Sequence, residues 1–334
     1  MILFSLDSIP KLTAFLFTAI FLLMFSDAKG ITVFEEFSFD ELNEKGVELA
    51  KLGRFEEAIK YYDKALEIKP DSWIVLHNKG RALSDLGMYE DAILQYEKVL
   101  TIEPQKYSLL MSMGYALYKI ERNEDALSYF EKAHQLEPTK TDPLLLKGLV
   151  LQEMKHYEDA MQSYDKALEI KPNDAVLLHN KGRVLSDLDL YDEAILFYEK
   201  SLEQTSNNVV ALNDMGGSLK KLGRIDEAIK FYNKALEINP EDPVVLHDKG
   251  RALAELGKFE EAIGYYDKSL VIQPFNQLVL DDKQKANEFL KNDFTKSEEK
   301  NDISNELIIP VLVLSILGLA FFGIKFGTKT VHAG

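Results

Sequence analysis

Leu76–Pro104 reads LHNKGRALSDLGMYEDAILQYEKVLTIEP, and Leu178–Ser206, 102 residues further on, reads LHNKGRVLSDLDLYDEAILFYEKSLEQTS. The offset is three times 34. The same interval separates Pro70, Pro104, Pro138 and Pro172, and again Pro240 and Pro274, with Ser206 on the one mark that lacks proline. Self-similarity at this period marks a stack of short helical units, each unable to bury its apolar face alone.

With each proline placed at position 32, seven units run without a gap over 39–276. Position 4 is Leu42, Leu76, Leu110, Leu144, Leu178, Leu212 and Leu246. Position 8 is Gly46, Gly80, Gly114, Gly148, Gly182, Gly216 and Gly250. Position 20 is always alanine, from Ala58 to Ala262, and position 24 always aromatic, from Tyr62 to Tyr266. Leucines at positions 4 and 11 (Leu49, Leu83, Leu117) lie two turns apart on one helix face. Glycine inside that helix costs about 1 kcal/mol against alanine, which close approach of a neighbouring helix offsets. Gly53, Gly87, Gly223 and Gly257 follow the first helix of their units, where a left-handed cap is wanted. The period proline stops the second helix. Asp142-Pro143 and Asp242-Pro243 read as an N-cap followed by proline in the first turn.

Leucine 4, glycine 8, alanine 20, the aromatic at 24, a small residue near 27 and proline 32 together resemble the tetratricopeptide repeat. Position 11 departs from it, being leucine where that family favours tyrosine, as do Val99 at position 27 and Ser206 at position 32. The resemblance implies an all-α solenoid in which antiparallel helix pairs stack into a right-handed superhelix. It also implies a concave groove lined by the first helices, at positions 2, 5, 9 and 12, that holds a protein or peptide partner. Lysine at 5 with asparagine at 9, the pair with which some members hold a C-terminal carboxylate, is not present here; the lysines Lys79, Lys147, Lys181 and Lys249 stand at position 7.

Outside the array the chain divides into further segments. Residues 277–291 begin as an eighth first helix, with Leu280 at position 4 and Lys283 at position 7, then substitute Gln284 and Asn287 for the glycine and the leucine. A helix that packs backward and shows a polar outer face suits the end of a solenoid. Residues 1–28 read as a signal peptide: Lys11, an uncharged run over 12–25, then Ser26 and Ala28 before a cleavage point; the alternative is an uncleaved anchor. A leader follows over 29–38. Residues 292–306 read as a polar stalk, and 307–324 as a transmembrane helix, being apolar or small throughout. Residues 325–334, with Lys325 and Lys329, read as a short cytoplasmic tail. The resulting expectation is a single-pass cell-membrane protein with its repeats outside the cytoplasm; the reverse orientation is the alternative.

A formal net charge of −16, from 55 acidic and 39 basic residues, disfavours nucleic acid as a partner. With no cysteine there is no disulfide or thiol chemistry. No histidine pair has metal-ligand spacing and no nucleophile or phosphate-loop motif is present, so no catalytic residue, metal or cofactor is assigned.

Two sets of residues are candidates for contact with a partner. The second, fifth and seventh units place His77 and Arg81, His179 and Arg183, and His247 and Arg251 four residues apart, spacing that could grip a carboxylate or phosphate. Asp85, Asp187 and Glu255, four residues beyond each arginine, could instead neutralise it. The third and fourth units carry Met111, Tyr115, Tyr118, Leu145 and Leu149 at inner positions, which suits a hydrophobic anchor of a peptide unless neighbouring coils or lipid cover them. The reading is a membrane-tethered interaction scaffold. A receptor for a small anionic ligand and a non-catalytic subunit of a membrane enzyme complex are the alternatives.

Overall fold

The structure, a computed structural model, describes residues 37–292, and every regular element among them is an α-helix. Seven helix pairs follow one another: α1 (Phe39–Lys51) and α2 (Phe55–Ile68), α3 (Trp73–Asp85) and α4 (Tyr89–Ile102), α5 (Tyr107–Lys119) and α6 (Asn123–Leu136), α7 (Asp142–Glu153) and α8 (Tyr157–Ile170), α9 (Ala175–Asp187) and α10 (Tyr191–Gln204), α11 (Val209–Lys221) and α12 (Ile225–Ile238), α13 (Pro243–Glu255) and α14 (Phe259–Ile272). A last helix, α15, covers 277–292. The chain forms two compact units, the first ending at Ser112 and the second beginning at Met113.

The 34-residue columns have visible causes. A Cβ built on Gly114 would lie 2.6 Å from Phe130 Cε1, and one on Gly216 would lie 2.6 Å from Tyr232 Cε1. Position 8 is therefore glycine because the position-24 ring of the same unit lies flat against its backbone. That ring is itself sealed, from Tyr62 at 1% exposure to Phe130 at 0%. Position 27 is fully buried in all seven units, and Val99 fits there as well as alanine does. Ser201 and Ser269 at this position satisfy their hydroxyls by donating to the carbonyls of Ala175 and Pro243, each at 2.8 Å.

Turn chemistry follows the same register. Position 15 adopts positive φ in all seven units: Gly53, Gly87, Gly223 and Gly257 at 74–77°, but Glu121, Lys155 and Asp189 at 60–63°. Position 34 starts the next first helix, where Asp174, Asn208 and Asp242 accept hydrogen bonds from the first backbone N–H groups. Asp242 is thus the N-cap expected of it. Asp142 is not: Thr141 precedes the helix and Asp142 lies within its first turn, with Pro143 buried beside it.

Two further columns emerge from packing. Position 3 (Val75, Leu109, Leu177, Ala211, Val245) and position 10 (Ala82, Ala116, Val150, Val184, Ala252) are at most 2% exposed. Within each compact unit these residues join the preceding pair's cluster: Val75 and Ala82 pack with Leu42, Leu49 and Tyr62, and Val245 and Ala252 with Leu212, Leu219 and Tyr232. Positions 4 and 11 close the pair itself.

This division explains both ends of the described array. In α1 the backward positions are Glu41 and Glu48, both exposed, and no pair precedes them among the described residues. In α15 the backward positions persist as Val279 and Ala286, buried against Leu253, Ala262 and Tyr266. Its position-4 residue Leu280 is 37% exposed, where each of the other seven units buries its leucine. Phe289 stacks on Phe259 with ring centroids 5.3 Å apart.

The expected membrane helix must be corrected. Crossing the hydrocarbon core takes about 20 predominantly apolar residues, whereas α1–α14 are 12–14 residues long. No helix among the described residues is long and apolar enough to span a membrane. Over the described residues the fold is an all-α solenoid with no transmembrane helix, and the single-pass cell-membrane assignment is withdrawn with it. The segments 1–28 and 307–324, from which that expectation arose, lie outside the described residues, as do the leader to residue 36, the stalk from 293 and the tail.

Candidate functional site

First helices of successive pairs are joined by hydrogen bonds between residues 35 apart, position p of one unit meeting position p+1 of the next. One row joins positions 5 and 6. Asn78 Nδ2 donates to Asn43 Oδ1 at 3.3 Å, His77 Nε2 lies 3.3 Å from Ser112 Oγ, and Asn213 Nδ2 donates to Asp248 Oδ2 at 3.0 Å. His179 and His247 donate through Nε2 to Asp214 and Asp282 at 2.8 and 3.0 Å. A second row joins positions 12 and 13. The Tyr118 hydroxyl donates to the Glu153 carboxylate, Gln152 Nε2 donates to Asp187 Oδ2 at 2.6 Å, and Lys220 Nζ lies 3.4 Å from Glu255 Oε1.

The sequence-predicted site residues separate along these rows. The three histidines are buried, each tilted against the position-24 ring of its unit with centroids 5.6–5.9 Å apart. Burial, with the Arg81 charge nearby, pushes the His77 imidazole down to about 4. Arg81, Arg183 and Arg251 at position 9 are all exposed. The acids four residues beyond do not neutralise them. Asp187 is held by Gln152, Glu255 by Lys220, and Arg81 and Arg183 have no ion pair within 4 Å among the described residues. Arg251 Nε approaches Asp282 Oδ2 at 3.7 Å, across to α15. In the first compact unit Met111 on α5 is partly exposed. In the second, Tyr115 and Tyr118 on α5 and Leu145 and Leu149 on α7 are also partly exposed, with Lys119 Nζ 5.4 Å from both tyrosine ring centres.

A cavity of about 400 Å³ lies in the second compact unit across the first helices α9, α11 and α13. Its cause is one residue. Position 9 of α11 is Gly217, so the space an arginine side chain would fill between Arg183 and Arg251 is open, and a Cβ on Gly217 would touch nothing within 4 Å. The lining acids Asp187, Asp214 and Asp248 each already accept a side-chain hydrogen bond. Arg183 and Lys221 have no ion-pair partner within 4 Å among the described residues. Beneath them the Tyr232 hydroxyl and Asn213 Oδ1 are buried without a hydrogen-bond partner. Burial pushes the Tyr232 hydroxyl far above its ordinary value, and the Asp248 and Glu255 carboxylates add to the rise, so it stays a protonated donor. The cleft thus offers two guanidinium groups at its flanks with a neutral donor and acceptor in its floor. Sequence reasoning found the arginines. It missed Gly217, Asn213 and Tyr232, although a glycine breaking the position-9 column was the available signal.

Comparison with known proteins agrees with the repeat and the helix-pair fold. A family model described as tetratricopeptide repeat matches 39–72 and 209–242, and a second of the same description matches 61–94, 163–195 and 231–264. A model described as anaphase-promoting complex, cyclosome, subunit 3 matches 85–167. No curated protein matches the chain. Among solved structures, a tetratricopeptide repeat protein from Parabacteroides merdae superposes with a TM-score of 0.62 at 16% identity, over 74% of this chain and 98% of that one. The Cut9–Hcn1 hetero-tetramer of the APC/C gives 0.59 at 17% identity, over 75% of this chain and 50% of that one, so the chain spans about half of that relative. Pseudomonas aeruginosa pilF gives 0.54 at 22% identity, over 65% and 97%. With seven units in one register, a glycine held under an aromatic ring in each, and these matches, the chain is shown to carry tetratricopeptide repeats.

Proposed function

We propose that this chain is a non-catalytic interaction scaffold that binds a protein or peptide partner along the exposed faces of its first helices, and that an acidic group of the partner sits between Arg183 and Arg251. The observation that carries the reading is the cleft at Gly217. Two exposed guanidinium groups flank a buried hydroxyl donor and a buried amide acceptor that have no partner, and leaving such groups unsatisfied costs about 1–3 kcal/mol each. A carboxylate accepts from guanidinium in a two-pronged arrangement, and a peptide amide beside it answers Asn213 Oδ1. Tyr115, Leu145 and Leu149 supply half-exposed apolar surface on α5 and α7 for an anchoring side chain.

Peptides selected on the full chain from a random display library test this. Acidic residues next to an apolar one should be enriched. The Arg183→Gln/Arg251→Gln variant should lose the acidic preference and bind the selected peptides at least tenfold more weakly. Selection that ignores acidic residues, or a double variant that binds equally well, refutes the reading. A receptor for a small anionic ligand would use the same cleft, whose volume suits one. In that case inorganic phosphate or citrate would raise the unfolding midpoint of the wild type and not of the double variant.

A further inference from the structure

A second cleft, of about 600 Å³, opens between the second helices α10 and α12 over the apolar side chains Leu202, Leu212, Met215 and Phe231. Its origin is read from the neighbouring units. Position 7 is lysine in five of the seven units and again in α15. In three of the units and in α15 its ammonium group reaches back to a position-25 acid of the preceding pair: Lys79 to Asp63 at 2.6 Å, Lys147 to Glu131 at 2.7 Å, Lys283 to Asp267 at 2.6 Å, and Lys181 to Asp165. In the fifth and seventh units the position-7 lysine also covers the aromatic ring at position 23. Lys181 Nζ stands 4.6 Å from the Phe197 centroid and Lys249 Nζ 4.1 Å from that of Tyr265. Those two rings also carry a second lysine from their own helix, Lys200 at 5.0 Å and Lys268 at 4.9 Å.

The sixth unit keeps every part of this seat except the cation. Glu199 stands at position 25 of the preceding pair, Phe231 at position 23, and Lys234 covers the ring from its own helix at 4.8 Å. Position 7 is Met215, 3% exposed, which brings no charge. Glu199 has no ion pair within 4 Å among the described residues. Ser206 replaces the period proline at the rim, and Glu203 and Glu237 add negative charge around the opening.

We propose that this cleft is a docking site for a lysine of a partner polypeptide. The ammonium group pairs with Glu199 over Phe231, and a flanking apolar side chain rests on Leu202 and Met215. Lys181 on Asp165 and Phe197 is the internal pattern of the complex. Three rim acids against Lys234 select a basic segment, and an ammonium over an aromatic ring beside a carboxylate is favoured by both charge and ring quadrupole. The site lies between second helices and is independent of the Arg183–Arg251 cleft.

Full-length protein carrying 13C-methyl methionine, with the Met215 signal assigned through Met215→Leu, provides the test. Titration with acetyl-Leu-Lys-Leu-amide should move the Met215 methyl resonance to saturation. Acetyl-Leu-Gln-Leu-amide should bind at least fivefold more weakly, and Glu199→Gln should abolish the difference. The Arg183→Gln/Arg251→Gln variant should respond as wild type does, which separates this site from the other cleft. An unmoved Met215 signal, or equal response to the two peptides, overturns the proposal. Met215→Lys gives a second reading without ligand: it rebuilds the internal pair and should raise the unfolding midpoint by a few degrees, whereas an unchanged or lowered midpoint shows that no lysine seat exists.

Discussion

At Gly148 a methyl group would lie 2.7 Å from Tyr164 Cζ, while at Gly264 it would meet nothing within 4 Å. The two alanine variants should therefore move in opposite directions. Gly148→Ala should lose about 1–2 kcal/mol, overpacking outweighing the gain in helix propensity, and Gly264→Ala should gain up to about 1 kcal/mol. Urea unfolding of both would decide it, and equal shifts would remove the ring as the reason for the glycine column. Lys155 holds a left-handed conformation that four sister units give to glycine. Lys155→Gly should add about 1 kcal/mol, less a few tenths for the freer unfolded chain, seen as a thermal midpoint higher by a few degrees. Asp189→Gly should gain less, since its carboxylate accepts from the Tyr191 hydroxyl. His77 titrates near 4 when folded, against an ordinary 6.5, because burial and then Arg81 disfavour its charged form. Its contribution is whole above pH 6.5, falls as pH drops from 6.5 to 4, and is constant below that. His77→Gln should flatten the pH dependence of the unfolding midpoint in that window and leave it unaltered above pH 7.

The element that shows most about how the described array ends is α15. It reads as an eighth first helix that keeps one face and abandons another. Val279 and Ala286 keep the backward contact, Gln284 and Asn287 give up the closing one, and Leu280 is left part-exposed. The loss of its closing face was legible because the forward columns are the ones the sequence makes conspicuous. The residues that dock it were not, because positions 3 and 10 of the units that follow the first vary among valine, leucine, alanine, proline and serine with no single identity to form a column. Packing asks only that they be small or branched and apolar. Val279→Asp should release α15 and strip hydrogen-exchange protection from 277–292 and then from α14. Protection in α9–α11 should be retained, since each pair leans only on its neighbours. Loss of protection throughout at once would contradict that nearest-neighbour behaviour.

Over the whole molecule, a formal net charge of −16 acts against compactness. Many of its ion pairs, such as Arg54–Glu57 and Arg224–Glu227, are exposed i,i+3 pairs worth little. Raising sodium chloride from 10 to 200 mM should therefore raise the unfolding midpoint, repulsion being screened more than these pairs lose. A fall with salt would mean that the ion pairs between units, such as Lys147–Glu131, contribute more than the net charge opposes.

The sequence by itself determined the repeat, its period, its helix pairs and the turn that separates them. Every unit solves the same packing problem, so the same residue recurs wherever backbones must approach or reverse. It also presented the position-9 arginines. Only tertiary structure decided which polar residues of the first helices stay exposed and which face the next unit. Positions 5 and 12 are as polar as position 9, but a one-residue offset between successive helices brings them onto positions 6 and 13, and that offset follows from how the apolar faces seat. Both clefts have the same origin. A missing side chain at Gly217 and a missing charge at Met215 acquire meaning only beside the neighbouring units that supply them.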